Sequence, residues 1–118
     1  MHQNRQLAAI MFTDIVGYSS LMEENESEAL YLLEINRQII QSALKQFKGS
    51  FIKEIGDGSL STFSNTIDAL NCASKILKLI SEYPNLNLRI ALHLGDIIQE
   101  AQDVFGDGVN IAARLESL

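Results

Sequence analysis

Two aspartates occupy positions in the sequence where a carboxylate could bind a metal ion. Asp14 comes just after the apolar run 7–12, and Asp57 stands between two glycines 43 residues later. Hard divalent cations such as Mg²⁺ bind one or two carboxylates together with phosphate oxygens of a substrate. A pair of such ions can stabilise both the attacking and the leaving oxygen in phosphoryl transfer. Each aspartate alone also has a purely local explanation, Asp14 as a helix cap and Asp57 as a turn residue.

A glycine-containing segment follows Asp14 and predicts the start of a helix. The backbone N–H groups at a helix start have no partner within the helix, so Gly17, Tyr18 and Ser19 could hold a phosphate group. An ordinary helix start without a ligand is the alternative.

Four further polar residues could act on the same kind of substrate. Lys53 lies on the strand before Asp57, although a lysine taken alone is usually a solvated surface charge. Asn110 and Arg114 are four residues apart and share one face of the last predicted helix, with Asp103 shortly before it. An arginine can stabilise charge on a transferring phosphoryl group, and an asparagine can orient a nearby oxygen. A solvated helix face is the alternative for this pair.

The hydrophobic pattern predicts the elements that must position these residues. Apolar residues at three- and four-residue steps predict helices over 25–48 and 65–82, and the second helix has a predicted buried stripe of Ile67, Leu70, Ala73, Ile76, Leu77 and Ile80. Strands are predicted over 7–12, 50–56, 59–63, 86–92 and 96–100, a short helix after Asp14, and a last helix from about residue 108. The turn 56–58 is a hairpin signal.

This order, β-α-α-β-β-α-β-β-α, predicts an α+β fold of the ferredoxin-like plait type, with an antiparallel sheet covered by helices on one face. In a plait the first strand and the hairpin are neighbours in the sheet, so Asp14 and Asp57 can converge. The other face must be buried by something else, and a second subunit is the obvious candidate.

Composition narrows the class of protein. The 118 residues suit one domain, and nine basic against fifteen acidic residues give a net charge of −6. An acidic surface argues against nucleic acid and anionic membrane surfaces as partners. No apolar run is long enough to insert into a membrane. With one cysteine and no signal peptide, we expect a cytoplasmic location.

Three segments together resemble the class III nucleotidyl cyclase catalytic domain. They occur in the family's order and are residues 12–19, 53–58 and 103–116, which read FTDIVGYS, KEIGDG and DVFGDGVNIAARLE. Jointly these matches outweigh the local explanations of the single residues.

The resemblance implies a role for each matched position. Asp14, Asp57 and the carbonyl of Ile15 would bind two Mg²⁺ or Mn²⁺ ions. Gly17, Tyr18 and Ser19 match the turn that cradles the triphosphate, and Asn110 and Arg114 match the residues that steady the transition state.

Lys53 and Asp103 match the pair that reads the purine, and their chemistry favours ATP. Adenine offers an acceptor at N1 and a donor at N6, which suit a lysine and an aspartate, whereas guanine reverses both.

The resemblance further implies a head-to-tail homodimer whose sites are shared between subunits. We therefore expect an adenylyl cyclase, in which the ribose 3′-oxygen of ATP attacks the α-phosphorus and pyrophosphate leaves. Residues 1–118 would be a single catalytic domain with its C-terminal part missing, because family domains continue with further strands. A catalytically silent, nucleotide-binding or interaction fragment is the alternative.

Overall fold

The computed structural model describes residues 4–100 and 103–105, which form one antiparallel sheet with helices packed on one face. Its five strands follow the order β2-β3-β1-β4-β5. The elements are β1 (Asn4–Ile15), α1 (Tyr18–Glu24), α2 (Glu26–Gln46), β2 (Ser50–Ile55), β3 (Gly58–Phe63), α3 (Thr66–Ile80), β4 (Leu88–Glu100) and β5 (Asp103–Phe105). The predicted α+β plait is confirmed, and the helix predicted from residue 108 lies outside the described residues.

Strand β1 is the centre of the sheet and is buried on both faces. Ala9, Met11 and Ile15 pack against the helices. The alternate residues Ala8 and Phe12 belong to a second apolar cluster on the opposite face, which no helix of the described residues covers and which is called the helix-free face below. Successive side chains of a strand point to opposite faces, so burial on both sides explains why this run is continuously apolar.

The two long helices begin at asparagine caps. The Asn25 side chain accepts a hydrogen bond from the Glu28 N–H at 3.1 Å, and Asn65 accepts one from the Asp68 N–H at 2.9 Å. Both bonds satisfy N–H groups that the helix itself leaves unpaired. The helices predicted over 25–48 and 65–82 are confirmed to within two residues at each end. None of the described helices is both long and apolar enough to cross a membrane.

The predicted buried stripe of α3 is wrong in part. Ile67, Leu70 and Leu77 are 70%, 55% and 48% exposed. The buried residues are Ala69, Cys72, Ala73, Ile76 and Ile80. This helix carries apolar residues on more than one face, and the face with smaller side chains lies against the sheet.

The two strands predicted over 86–92 and 96–100 are one continuous strand, β4. Gly95 does not end it, because the residue pairs with Ala8 inside a ladder that runs along the whole of β1. Asp103, placed by the sequence shortly before the last predicted helix, is the first residue of a further strand, β5, that was not predicted.

The helix-free face is curled rather than flat. Ile97 of β4 and Ile52 of β2 belong to one buried cluster on this face, and β5 contacts β2 although the two strands lie at opposite ends of the sheet order. Ile10 and Leu60 at its centre are 0% exposed in the single chain. The expectation that the chain leaves this face uncovered is therefore wrong for its centre.

Candidate active site

Asp14 lies near the end of β1 and is held by an arginine of the neighbouring strand. It pairs in register with Arg89 of β4. Arg89 Nε donates to Asp14 Oδ1 at 2.9 Å, and Arg89 Nη2 donates to Asp14 Oδ2 at 2.7 Å. This two-pronged geometry fixes the plane of the carboxylate. Because Phe12 belongs to the apolar cluster of the helix-free face, Asp14, two residues on, lies on that face as well.

Asp57 lies in the turn between β2 and β3 and reaches the same end of β1. Its Oδ2 accepts a hydrogen bond from the backbone N–H of Ile15 at 2.8 Å. The carboxylate of the hairpin is thus tied to the residue that follows Asp14. The structure brings the two sequence-predicted aspartates to one edge of the sheet.

The root of this hairpin is fixed against β1 by two further contacts. A Cβ atom on Gly58 would collide with the Thr13 carbonyl oxygen, so only glycine allows this close approach. Next to it, the hydroxyl groups of Thr13 and Ser59 are 2.7 Å apart and buried. The position of Asp57 relative to Asp14 is therefore set by several contacts rather than by one flexible turn.

The segment after Ile15 turns sharply into α1. Gly17 has φ of 72° and ψ of 19°, a left-handed conformation that favours glycine. The Val16 N–H donates to the Asn87 carbonyl at 2.8 Å and anchors the turn to the residues before β4. No side chain caps α1. Tyr18 packs against the core and Ser19 is exposed, so this segment would meet a phosphate mainly with backbone groups.

This arrangement fits a hard divalent cation. Asp14, Asp57 and the backbone carbonyl of Ile15 would supply its oxygen ligands at this edge of the sheet, and a substrate polyphosphate would complete the coordination. Within 4–100 and 103–105 there is no cluster of three or more His, Cys, Asp or Glu side chains able to hold a metal. Such a site would therefore depend on ligands from the substrate or solvent.

Burial raises the pKa of the Cys72 thiol to about 11, so this residue stays protonated and is a poor nucleophile at neutral pH.

The remaining predicted residues are placed only in part. Lys53 is on β2 opposite Leu60, which puts it on the helix-free face with Asp14. Asp103 begins β5, the strand that contacts β2 across the curl. The two strands that carry the predicted purine-reading pair therefore approach each other. Asn110 and Arg114 lie outside the described residues.

Comparison with known proteins places these motifs in a family. The family model described as the adenylate and guanylate cyclase catalytic domain matches residues 1–118. The chain belongs to this family. It is 38% identical to "Putative adenylate cyclase 3" of Rhizobium meliloti over 97% of the chain, and it spans 21% of that protein. It is 27% identical to an adenylate cyclase of Streptomyces griseus, over 92% of this chain and 28% of that protein.

A solved structure supports the same assignment. The crystal structure of an adenylate/guanylate cyclase/hydrolase from Silicibacter pomeroyi is 39% identical and superposes with a TM-score of 0.87. The match covers 98% of this chain and 72% of that one. This nucleotidyl cyclase domain therefore has the fold of its family over the described residues, while it spans only 21% and 28% of the two curated relatives named above.

The sequence reasoning missed Arg89 in this cyclase domain. The residue stands in an alternating strand pattern, where a charged residue predicts only a polar face. Its contact with Asp14 depends on the antiparallel register of β1 and β4, which joins positions 75 residues apart. An acid and a base at the facing ends of two predicted strands would have been the only signal.

Proposed function

We propose that this domain is an adenylyl cyclase, which converts ATP into cyclic AMP and pyrophosphate. The observation that carries the proposal is the hydrogen bond from the Ile15 N–H to Asp57, because it holds the aspartate of one motif beside the residue that follows Asp14 in the other. Family membership and the adenylate cyclase names of two relatives support the reaction class.

Asp14, Asp57 and the Ile15 carbonyl would hold two Mg²⁺ or Mn²⁺ ions. When bound, such ions neutralise phosphate charge and make the ribose 3′-oxygen a better nucleophile. Arg89 now holds both Asp14 oxygens, so the arginine and a divalent cation compete for the same carboxylate. Once released, the guanidinium becomes available to a polyphosphate, which arginine binds well.

The nucleotide would be bound by backbone and by polar side chains of the same face. The turn at Gly17, Tyr18 and Ser19 presents N–H groups to the triphosphate. Lys53 would donate to N1 of adenine and Asp103 would accept from its N6 amino group. Holding the ribose and the α-phosphate in line supplies much of the rate, because a positioned pair reacts as one molecule.

We infer that each site is shared in a head-to-tail homodimer in the cytoplasm. One subunit would supply Asp14 and Asp57, and the other would supply Lys53, Asp103, Asn110 and Arg114. The family resemblance supports this arrangement. An uncovered apolar sheet face does not support it, because the centre of the helix-free face is buried in the single chain. Two-fold symmetry would give two equal sites.

Mixing two inactive variants of the full-length protein tests this proposal. An Asp57→Ala subunit is combined with an Asn110→Ala/Arg114→Ala subunit. Each parent dimer has two damaged sites and should be nearly silent. A mixed dimer has one site with all its residues intact and one with both defects. Random pairing makes about half of the dimers mixed, so cyclic AMP production should recover to roughly a quarter of the wild-type rate.

The outcomes separate the possibilities once subunit exchange has been shown to be complete. A mixture that stays at the level of its parents contradicts shared sites. A wild-type protein that binds ATP and Mn²⁺ but makes no cyclic AMP contradicts the enzyme proposal and favours the silent alternative.

A further inference from the structure

A polar residue interrupts the buried stripe of α2. Asn36 is 2% exposed and lies between the buried residues Leu32 and Ile40. Its Oδ1 atom is fully buried and has no hydrogen-bond partner in the protein. A buried acceptor without a partner is destabilising, and asparagine is also a weak helix former. Packing alone therefore does not explain an asparagine at this position.

Asn36 lines a small cavity between α2 and the hairpin that is partly open to solvent, since the exposed ion pair of Arg37 and Glu54 also lines it. The space for water in it measures about 10 Å³, and Gly58 and Ser59 bound it on the hairpin side. That space is about what one water molecule needs, provided that polar partners surround it. Buried waters of this kind characteristically bond to polar groups that the protein leaves unsatisfied.

The opposite wall of the cavity is the root of the hairpin that carries Asp57. Ser59 is bonded to Thr13 at 2.7 Å. Gly58 touches the backbone of the same threonine. Asp57, the residue just before Gly58, accepts a hydrogen bond from the Ile15 N–H at 2.8 Å. A bond from α2 to Gly58 or Ser59 would therefore hold the hairpin from behind, on the side away from the metal site.

We propose that Asn36 is a positioning residue for the metal site. Its Oδ1 accepts a hydrogen bond from one ordered water in this cavity, which also bonds to Gly58 or Ser59 and so fixes Asp57 relative to Asp14. The inference rests on the proposed function only in its consequence for metal binding. The water bridge itself can be measured without metal or nucleotide.

Amide hydrogen exchange by NMR gives a direct readout of the hairpin position. The Ile15 N–H is bonded to Asp57, whereas the neighbouring Val16 N–H is bonded to Asn87 and serves as an internal reference. The Asn36→Leu variant removes the acceptor and fills the cavity. It should lower the protection of the Ile15 amide by about tenfold, as expected for losing one bridging hydrogen bond. The Val16 amide should stay unchanged.

Two matched variants separate positioning from packing. Asn36→Ser keeps a hydroxyl acceptor and room for water, so Ile15 protection should stay within about threefold of wild type. Leu32→Val alters the same stripe one turn earlier, away from the cavity, and should affect Ile15 and Val16 alike. Asn36→Leu should melt near the wild-type temperature, because leucine is a better helix former and its apolar side chain needs no water partner.

A metal-binding measurement connects the proposed water bridge to the metal site. In titrations of the full-length protein with Mn²⁺ and a non-reactive ATP analogue, Asn36→Leu should weaken Mn²⁺ binding by about tenfold, the scale known for residues that support metal ligands. Asp57→Ala should abolish it. If the Asp57→Ala variant binds Mn²⁺ as tightly as the wild type, the proposed function is contradicted. The hydrogen-exchange result for the water bridge is unaffected by that outcome. Unchanged Ile15 protection in Asn36→Leu, or a crystal structure without a water at Asn36 Oδ1, overturns the positioning role alone.

Discussion

Both faces of the sheet bury apolar side chains, but the two faces place their charged residues differently. On the helix-covered face the polar residues Thr13, Ser59, Ser61 and Asn36 are all buried behind α2 and the sheet. The helix-free face also buries one hydroxyl, Thr62, which pairs in register with Ile10. Its charged residues Asp14, Lys53 and Arg89 instead lie at the margin of an apolar centre and reach solvent. The helix-covered face therefore places most of its polar groups where they set geometry, and the helix-free face places its charges where a ligand can reach them.

This difference indicates whether a substitution should alter ligand binding or the stability of the fold. Removing a charge from the helix-free face should alter ligand binding or turnover and leave the fold intact. Removing a hydroxyl from the helix-covered face should lower stability first. The hairpin root is where the two faces meet, since Ser59 belongs to one and Asp57 bonds to the end of β1.

The strongest test of the contrast is the loss of one carboxylate. Asp14→Ala and Asp57→Ala should each lower cyclase activity at least about 100-fold, the loss typical of one major electrostatic group. Asp96→Ala removes an exposed carboxylate from β4, where residue 96 pairs with Leu7 and faces the opposite side from Asp14. That control should stay within about twofold. Near-normal cyclic AMP production in either site variant would show that the replaced aspartate is only a cap or turn residue and does not bind the metal.

The purine-reading pair should show a smaller but more specific effect. Lys53→Glu combined with Asp103→Cys removes the donor and acceptor that suit adenine. The ratio of ATP to GTP turnover should fall by about tenfold or more, because a site with mismatched polar groups rejects its former ligand. Lys45→Glu reverses a charge on the far side of α2 and serves as the control. If the double variant keeps the wild-type ratio, the pair does not contact the base.

The sequence was sufficient for the parts of the fold that local rules decide. The Asp-Gly turn and the buried apolar strand β1 each follow from a few adjacent residues, and both were predicted correctly. Asp14 and Asp57 were brought together by the same reasoning, since strand and hairpin are neighbours in a plait. Their convergence needed only the order of the elements.

Features decided by distant pairing could not be predicted in this way. Gly95 looks like a strand end, but its pairing with Ala8 keeps β4 continuous. The phase of α3 was misjudged at Ile67 and Leu70 because the sheet selects which apolar face of a helix it covers. Arg89 was missed for the same reason, since register alone places it against Asp14.

A hydroxyl pair tests the helix-covered face. Thr13→Val leaves the buried Ser59 hydroxyl without its partner at 2.7 Å, which should lower the free energy of unfolding by about 1–2 kcal/mol. The double variant Thr13→Val/Ser59→Ala removes both groups and should recover part of that loss, because no buried hydroxyl is then unpaired. Urea unfolding of the variants measures both values. A double variant as unstable as the sum of its singles would mean that the two hydroxyls do not act as a pair.

The smallest effect is expected on metal binding when Arg89, the arginine that holds Asp14, is replaced. In Arg89→Gln the carboxylate no longer binds a guanidinium at 2.7 and 2.9 Å, so a divalent cation meets less competition. The Arg89 side chain is 43% exposed, and an exposed pair contributes less than about 1 kcal/mol. Mn²⁺ binding without nucleotide, measured by calorimetry, should therefore tighten by only about two- to fivefold.

Lys78→Gln makes the same change in net charge on α3 and controls for general attraction of the cation. Equal tightening in both variants would show that Arg89 acts only through net charge. Tightening in Arg89→Gln alone, and its disappearance when Asp14→Ala is added, would show that arginine and metal compete for one carboxylate.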